Sequence, residues 1–123
     1  MLIQTPEWGG GEIRFEVEHG KIVKATCDGD NDKLQAALDI DEGARYFGEF
    51  ALGVNPHITK PMLDTLFDEK IGGTCHLAVG ASIPETGGKN KSSLHWDMVC
   101  NLQKKAEIKA DGKVIYRNGK FVI

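Results

Sequence analysis

The sequence has 123 residues, and its 15 lysines and arginines stand against 18 aspartates and glutamates, for a net charge of −3. Its length suits one domain over residues 1–123, and 41% hydrophobic with 27% charged residues is typical of a globular protein. The slight excess of acidic over basic residues argues against a nucleic-acid-binding surface. The lack of a long apolar run argues against a membrane-spanning helix.

The first third of the chain predicts a β-hairpin followed by a short helix. Residues 12–27 alternate between apolar and charged side chains on both sides of a turn at His19-Gly20. This period of two is typical of paired strands with one buried face. Asp30 then supplies the chemistry of a helix cap, which predicts a helix from Asn31 to about Asp39.

The middle of the chain combines an apolar run with a second helix signal. Residues 45–54 are almost continuously apolar, with Glu49 in the middle of the run. Pro61 is favoured in the first turn of a helix, so residues 59–61 predict a helix start. The expected buried face of this helix consists of Met62, Leu63, Leu66 and Phe67.

The last third predicts strands at residues 74–79 and 93–102, joined by a glycine-rich loop over residues 84–91. The tail contains the dipeptides Asp111-Gly112 and Asn118-Gly119, which are strong hairpin signals and predict a three-stranded meander. The predicted fold is therefore α+β, a mostly antiparallel β-sheet, barrel- or sandwich-like, with two short helices.

Two predicted strands carry side chains that suit a metal ion. His95 and Asp97 lie two residues apart, so on a strand they share one face while Trp96 covers the other. His76 has only small residues beside it on its own face, which leaves room for a ligand. The alternative for His76 is a core histidine bonded to a backbone carbonyl.

Glu49 is the fourth candidate residue because its neighbours predict that it is partly buried. Burying a lone carboxylate costs several kcal/mol unless it is paired or bound to a metal. An ion pair with Arg45 or a lysine is the alternative. Together Glu49, His76, His95 and Asp97 match the ligands of hydrolytic metal centres, and also those of the two-histidine, one-carboxylate iron site.

The cysteines indicate the compartment. Cys27, Cys75 and Cys100 are odd in number and contain no closely spaced pair. This pattern favours thiols in a reducing cytoplasm over a disulfide scaffold or a zinc–thiolate site. We therefore expect a cytoplasmic protein.

Three blocks of sequence, residues 41–55, 66–80 and 87–98, carry a family resemblance. They resemble the C-terminal domain of the aminopeptidase T and aminopeptidase S metallopeptidases, the thermophilic-type leucyl aminopeptidases. The resemblance implies a hydrolase that releases N-terminal residues from peptides by a metal-activated water. It also implies a homodimer, a peptide substrate and divalent ions, namely Zn²⁺, Co²⁺ or Mn²⁺.

The same resemblance implies roles for individual residues. The metal ligands would be Glu49, His76, His95 and Asp97. Glu69 would be a catalytic carboxylate, although on its neighbours alone it reads as part of a solvated turn. Two departures stand out: Ser82 occupies the position of a family tyrosine, and a ligating glutamate of the family lies upstream of this sequence. We therefore expect an isolated C-terminal domain with an incomplete site, its upstream domain absent.

Two other functions remain open at this point. The dihydroxypyridine ring-cleaving dioxygenases are similar in the same region, and their single Fe(II) would need only His76, His95 and Asp97. A non-catalytic metal-binding or dimerisation domain is the third hypothesis. The embedded Glu49 favours the two-metal hydrolase, whereas Ser82 weakens it.

Overall fold

A computed structural model describes residues 2–4, 12–60, 62 and 64–123 of the chain. They form two compact units, Met1–Phe50 with Leu77–Met98, and Ala51–His76 with Val99–Ile123. The helices are α1 (Asn31–Leu38) and α2 (Thr65–Asp68), and a 3₁₀ turn covers Pro84–Thr86. The strands are β1 (Leu2–Gln4), β2 (Glu12–Glu18), β3 (Lys21–Cys27), β4 (Phe47–Gly53), β5 (Thr74–Gly80), β6 (His95–Asn101), β7 (Glu107–Ala110), β8 (Lys113–Arg117) and β9 (Lys120–Phe121).

The strands form two sheets. One has six strands in the order β3-β2-β1-β6-β5-β4, and the other has three in the order β7-β8-β9. The pairs β1–β2, β2–β3, β7–β8 and β8–β9 are antiparallel. The predicted α+β class is confirmed, and the described strands do not close into a barrel.

The first unit contains the predicted hairpin. Strands β2 and β3 pair with Glu18 opposite Lys21, so a two-residue turn at His19-Gly20 joins them. Both turn residues have positive φ, 50° and 79°, as in the type I′ turns that match strand twist. Ile13 and Ile22 are fully buried on the inner face of the hairpin.

Helix α1 closes over this hairpin as its pattern predicts. The Asp30 carboxylate accepts a 3.0 Å hydrogen bond from the Lys33 backbone N–H, which is the cap expected at this position. The apolar stripe of the helix is fully buried at Leu34 and Leu38. Just beyond the helix, the Arg45 guanidinium donates a 2.7 Å hydrogen bond to Asp39.

A carboxylate holds together the two loops that precede β4 and β6. Asp41 accepts hydrogen bonds from the Ser92 hydroxyl at 2.7 Å, and from the Ser93 backbone N–H at 2.7 Å and hydroxyl at 2.9 Å. These donors stabilise the charged form, led by the Ser93 backbone N–H, and lower the pKa of Asp41 to about 2. The loops are therefore joined by charge-assisted hydrogen bonds.

Close backbone contact brings β4 against the end of β5. A side chain at Gly48 would place its Cβ 2.3 Å from the Ala81 carbonyl oxygen and 2.5 Å from that of Gly80. Only glycine permits this approach, because any side chain would collide with these carbonyl oxygens. The Asn90 amide donates to the carbonyls of Gly43 at 2.9 Å and Gly80 at 2.7 Å, so it links the loop before β4 to the end of β5.

The second unit contains the three-stranded meander at the end of the chain. Its turns, Asp111-Gly112 and Asn118-Gly119, have positive φ at all four residues, which confirms the hairpin prediction. Tyr116 is 2% exposed, and its ring meets that of Phe121 edge-on at 5.0 Å. The aromatic pair thus packs the buried Tyr116 of β8 against β9.

The prediction for the second helix is wrong in two respects. Helix α2 is only four residues long, and the Asp64 carboxylate bonds the Leu66 backbone N–H at 3.0 Å, so capping chemistry lies at Asp64. The expected buried face is exposed, with Met62 at 63%, Leu66 at 72% and Phe67 at 49%. Pro61 and Leu63 lie outside the described residues.

The cysteines are all thiols. Cys75 is buried on β5, and Cys100 is half-buried on β6. The two thiols are hydrogen-bonded to each other, which lowers the pKa of Cys75 and raises the pKa of Cys100. No helix within the described ranges has the length and apolar character needed to cross a membrane.

Asp41→Asn tests the link between the two loops through its pH dependence. The Asp41 pKa is about 2 in the folded chain against 3.8 for an ordinary aspartate. A lowered pKa stabilises the fold above pH 3.8, and this contribution disappears as the pH falls towards 2. We expect the variant to be less stable at pH 7, with a stability that changes less between those two values. Unfolding in urea at a series of pH values measures this, and the exposed Asp28→Asn is the control; parallel curves for both variants would contradict the assignment.

Gly48→Ala tests the close approach of β4. The added methyl group meets backbone atoms that cannot rotate away, so we expect a loss of about 1–3 kcal/mol in the free energy of unfolding. Gly87→Ala is the comparison, because its Cβ would enter open space and only its φ of 85° is unfavourable. Chemical denaturation gives both values, and wild-type stability for Gly48→Ala would show that the contact is absent.

Candidate metal centre

Strand β6 presents two candidate ligands on one face. His95 Nε2 lies 3.4 Å from Asp97 Oδ2, so the two side chains are adjacent, as the spacing of two predicts. Trp96 points to the opposite face and is 6% exposed. The strand therefore anchors itself through the indole and displays the imidazole and carboxylate together.

Strand β4 adds a second carboxylate to the same cluster. Glu49 Oε2 lies 3.6 Å from His95 Nε2. The side chains of Glu49 and Asp97 are only 18% and 16% exposed, whereas that of His95 is 37% exposed. One ligand atom from each of the three residues lies within 4.8 Å of the other two. Arg45, the alternative partner of Glu49, bonds instead to Asp39 and Gln35.

The orientation of His95 is set by the backbone. Its Nδ1 lies 2.8 Å from the Ala81 carbonyl oxygen, which can only accept, so Nδ1 carries the proton and donates. Nε2 faces the two carboxylates and is the nitrogen left to bind a metal ion, as in metal-binding histidines whose other nitrogen donates to a carbonyl. The Ala81 backbone N–H donates to the Leu94 carbonyl at 2.7 Å, which keeps the orienting carbonyl in place.

The donor set fits a divalent cation. Asp97 Oδ1 is buried and has no hydrogen-bond partner among the residues that the structure describes. A buried carboxylate oxygen without a donor is costly, and two carboxylates close to each other are electrostatically unfavourable unless a positive charge lies between them. Two carboxylate oxygens and one imidazole nitrogen suit Zn²⁺, Mn²⁺, Co²⁺ and Fe²⁺.

The other two candidates belong to the second unit. His76 on β5 is 6% exposed, and Glu69 follows α2 with a side chain that is 17% exposed. Each offers a ligand atom within 4.8 Å of the other. The neighbours of Glu69 suggested a solvated turn, and that part of the prediction is wrong, since the carboxylate is largely covered and Lys70 pairs with it. Its burial is set by the tertiary fold, so no local pattern in the sequence could have indicated it.

Ser82 forms its hydrogen bonds within its own loop. Its backbone N–H donates to the Asn90 carbonyl at 2.9 Å, and its hydroxyl accepts from the Asn90 backbone N–H at 3.2 Å. A Cβ at Gly88 would come within 2.4 Å of the Ser82 Cβ. The serine therefore closes the loop between β5 and β6.

Comparison with known proteins identifies relatives of this arrangement. The chain is similar to "Aminopeptidase 2" of Geobacillus stearothermophilus, with 38% identity over 81 residues that cover 61% of this chain and 18% of that protein. It is also similar in structure to wild-type AmpT from Thermus thermophilus, with a TM-score of 0.72 and 26% identity. That match covers 100% of this chain and 35% of the other.

The chain thus spans less than a fifth of the curated relative and about a third of the solved structure. The model of the thermophilic metalloprotease family (M29), a family whose name implies the use of metal ions, matches residues 11–121. This match takes in both compact units and all the candidate ligands. The chain is therefore an aminopeptidase-like domain that belongs to the thermophilic metalloprotease family M29.

Proposed function

We propose that this domain binds catalytic metal in a metal-dependent aminopeptidase, which hydrolyses N-terminal residues from peptides with a metal-activated water. The observation that carries the proposal is the cluster of His95, Glu49 and Asp97. Within it the imidazole Nε2 lies 3.4 and 3.6 Å from two mostly buried carboxylates. The buried Asp97 Oδ1 supports a cation as the missing partner.

The proposal assigns roles to five residues. His95, Glu49 and Asp97 bind one divalent ion, and His76 is a further ligand. Glu69 is the catalytic carboxylate, and family membership supports both of these assignments in the second unit. The ligand atoms of Glu69 and His76 lie within 4.8 Å of each other, which agrees with both residues acting at one metal-containing site.

Each residue contributes a definite chemical function. A divalent ion held by these residues would supply a water of lowered pKa and would polarise the scissile carbonyl. The carboxylates of Glu49 and Asp97 bind the cation and offset its charge, while the Ala81 carbonyl keeps His95 in the Nδ1–H tautomer. Glu69 accepts the proton of the attacking water and returns it to the leaving amine.

The finer properties of the enzyme form part of the same proposal. Zn²⁺, Co²⁺ or Mn²⁺ is the metal, since the mixed nitrogen and oxygen donors suit these ions. The substrate is a peptide with a free N-terminus, leucine being the preferred first residue, and the protein works as a cytoplasmic homodimer. The names of the relatives support aminopeptidase activity, and the three thiols agree with a reducing compartment.

The position of Glu49 favours the hydrolase over a mononuclear iron dioxygenase. Two histidines and one carboxylate suffice for the iron site, which gives no role to a second carboxylate beside His95. In the folded chain Glu49 is as close to His95 as Asp97 is, within 0.2 Å. The iron enzyme and the non-catalytic domain are therefore outcomes of the tests below.

His95→Ala tests metal binding directly. We expect the chain, reconstituted with Zn²⁺, Mn²⁺, Co²⁺ or Fe²⁺, to retain an ion after desalting, and the variant to bind it at least ~100-fold more weakly because it loses a ligand. Elemental analysis measures the content, with the exposed turn residue His57→Ala as the matched control. Bound iron alone would favour the dioxygenase, and no retained ion in the wild type would contradict the proposed metal site.

Glu69→Gln separates catalysis from metal binding. Although the resemblance implies an incomplete site in this chain, the proposal predicts that the metal-loaded chain releases leucine from a peptide with a free N-terminus but not from its N-acetylated form. The variant should retain its metal and lose about 10²–10⁴-fold in kcat, because glutamine cannot accept the proton. Quantification of released amino acid, with Asp28→Asn as the control, decides the matter. A metal-loaded wild type without activity would leave a non-catalytic metal-binding domain, and loss of metal in Glu69→Gln would make Glu69 a ligand.

A further inference from the structure

Two cysteines of the second unit lie directly opposite each other on neighbouring strands. The Leu102 backbone N–H donates to the Gly73 carbonyl at 2.9 Å, and that of Ala81 donates to Leu94 at 2.7 Å. Residue numbers rise along β5 as they fall along β6, so these adjacent strands are antiparallel. Two residues onward from the Gly73–Leu102 pair, the register places Cys75 opposite Cys100.

The same register determines the separation of their backbones. Antiparallel strands repeat their hydrogen-bonding pattern every two residues, so Cys75 and Cys100 form a hydrogen-bonded pair like Gly73 and Leu102. Such pairs have Cα atoms about 5.5 Å apart. Disulfides span Cα separations of about 4.4–6.8 Å, most often near 5.5–6 Å. The backbone is therefore already spaced for a cross-link.

The side chains are also directed towards each other. Directly opposite residues place their side chains on the same face of the sheet, and the two thiols are hydrogen-bonded. Cys75 is 6% exposed, while Cys100 is partly open to solvent. A small reagent can therefore reach one sulfur of the pair, and the second needs no movement of the backbone to follow.

We propose that Cys75 and Cys100 form a reversible redox site, at which a low-molecular-weight disulfide converts the two thiols into a cross-strand disulfide. One thiolate attacks the reagent and forms a mixed disulfide, releasing one small thiol. The second thiolate displaces the other small thiol and closes the bond. Two protein thiols and one disulfide become one protein disulfide and two small thiols, so the protein is oxidised and the reagent is reduced.

The site is independent of the metal chemistry proposed above. Cys75 precedes His76 on β5, and alternation along the strand directs the two side chains to opposite faces. The closed bond would join β5 to β6 behind the imidazole. In a reducing compartment such a disulfide is transient and reports oxidative conditions.

Thiol counting after treatment with oxidised glutathione tests the proposal. The reduced full chain has three thiols, and we expect one to remain after oxidation, with a mass lower by two hydrogens. Peptide mapping should place the bond between Cys75 and Cys100. Dithiothreitol should restore all three thiols, and the oxidised chain should unfold at a higher temperature because the cross-link restricts the unfolded state.

Three variants make the result decisive. Cys27→Ser retains Cys75 and Cys100, so its thiol count should fall from two to none. The substitution lies in the first unit and leaves both cysteines of the second unit in place. Cys75→Ser and Cys100→Ser should each yield glutathione adducts and no internal bond. Three unreacted thiols in the wild type, only glutathione adducts, or a bond that includes Cys27 would each overturn the proposal.

Discussion

The contact of Gly48 with the Ala81 carbonyl is the constraint on which the candidate metal centre depends. Because residue 48 lacks a side chain, β4 can lie against the backbone at the end of β5. The carbonyl reached there is the one that accepts a hydrogen bond from His95 Nδ1. Glu49 follows immediately and is thereby delivered to the other nitrogen of the same imidazole. The lack of a side chain at Gly48 thus brings together the carbonyl that orients His95 and the Glu49 carboxylate beside it.

Two aspartates of the first unit, Asp41 and Asp97, differ in the hydrogen-bond donors around them. The difference agrees with a structural role for Asp41 and with the metal-binding role proposed for Asp97. Asp41 is surrounded by donors from Ser92 and Ser93, which satisfy its charge and make it a structural link. Asp97 has a buried oxygen without a donor among the described residues, and its other oxygen faces an imidazole nitrogen. Chains that bury a carboxylate for structure supply it with hydrogen bonds, whereas a carboxylate kept for a cation is left open.

The second unit contains another pair of functional groups at close quarters. Glu69 and His76 bring ligand atoms together, and Cys75, beside His76, faces Cys100 across the sheet. Strand β5 therefore presents a candidate metal ligand, His76, on one face and the thiol of Cys75 on the other. Membership of the M29 family supports the proposed metal-binding role of His76. The register of β5 and β6 alone accounts for the pairing of Cys75 with Cys100.

The sequence by itself determined several features that depend on neighbours along the chain, although it placed the start of the second helix too early. The period of two in β2 and β3, the Asp30 cap and the turns at Asp111 and Asn118 were predictable because strand alternation and turn chemistry are local. The adjacency of His95 and Asp97 followed from the same alternation. The embedded Glu49 could be recognised because a carboxylate in an apolar run requires a partner.

Only the tertiary structure decided which distant groups meet. Glu49 lies 46 residues before His95, and their 3.6 Å separation results from strand order, which local patterns do not encode. The exposure of α2 and the burial of Glu69 depend on what packs against them, so both differed from the local prediction. Cys75 and Cys100 likewise became a pair through register. The sequence specifies each side chain, but strand order and register in the folded chain determine which of them lie close together across a sheet.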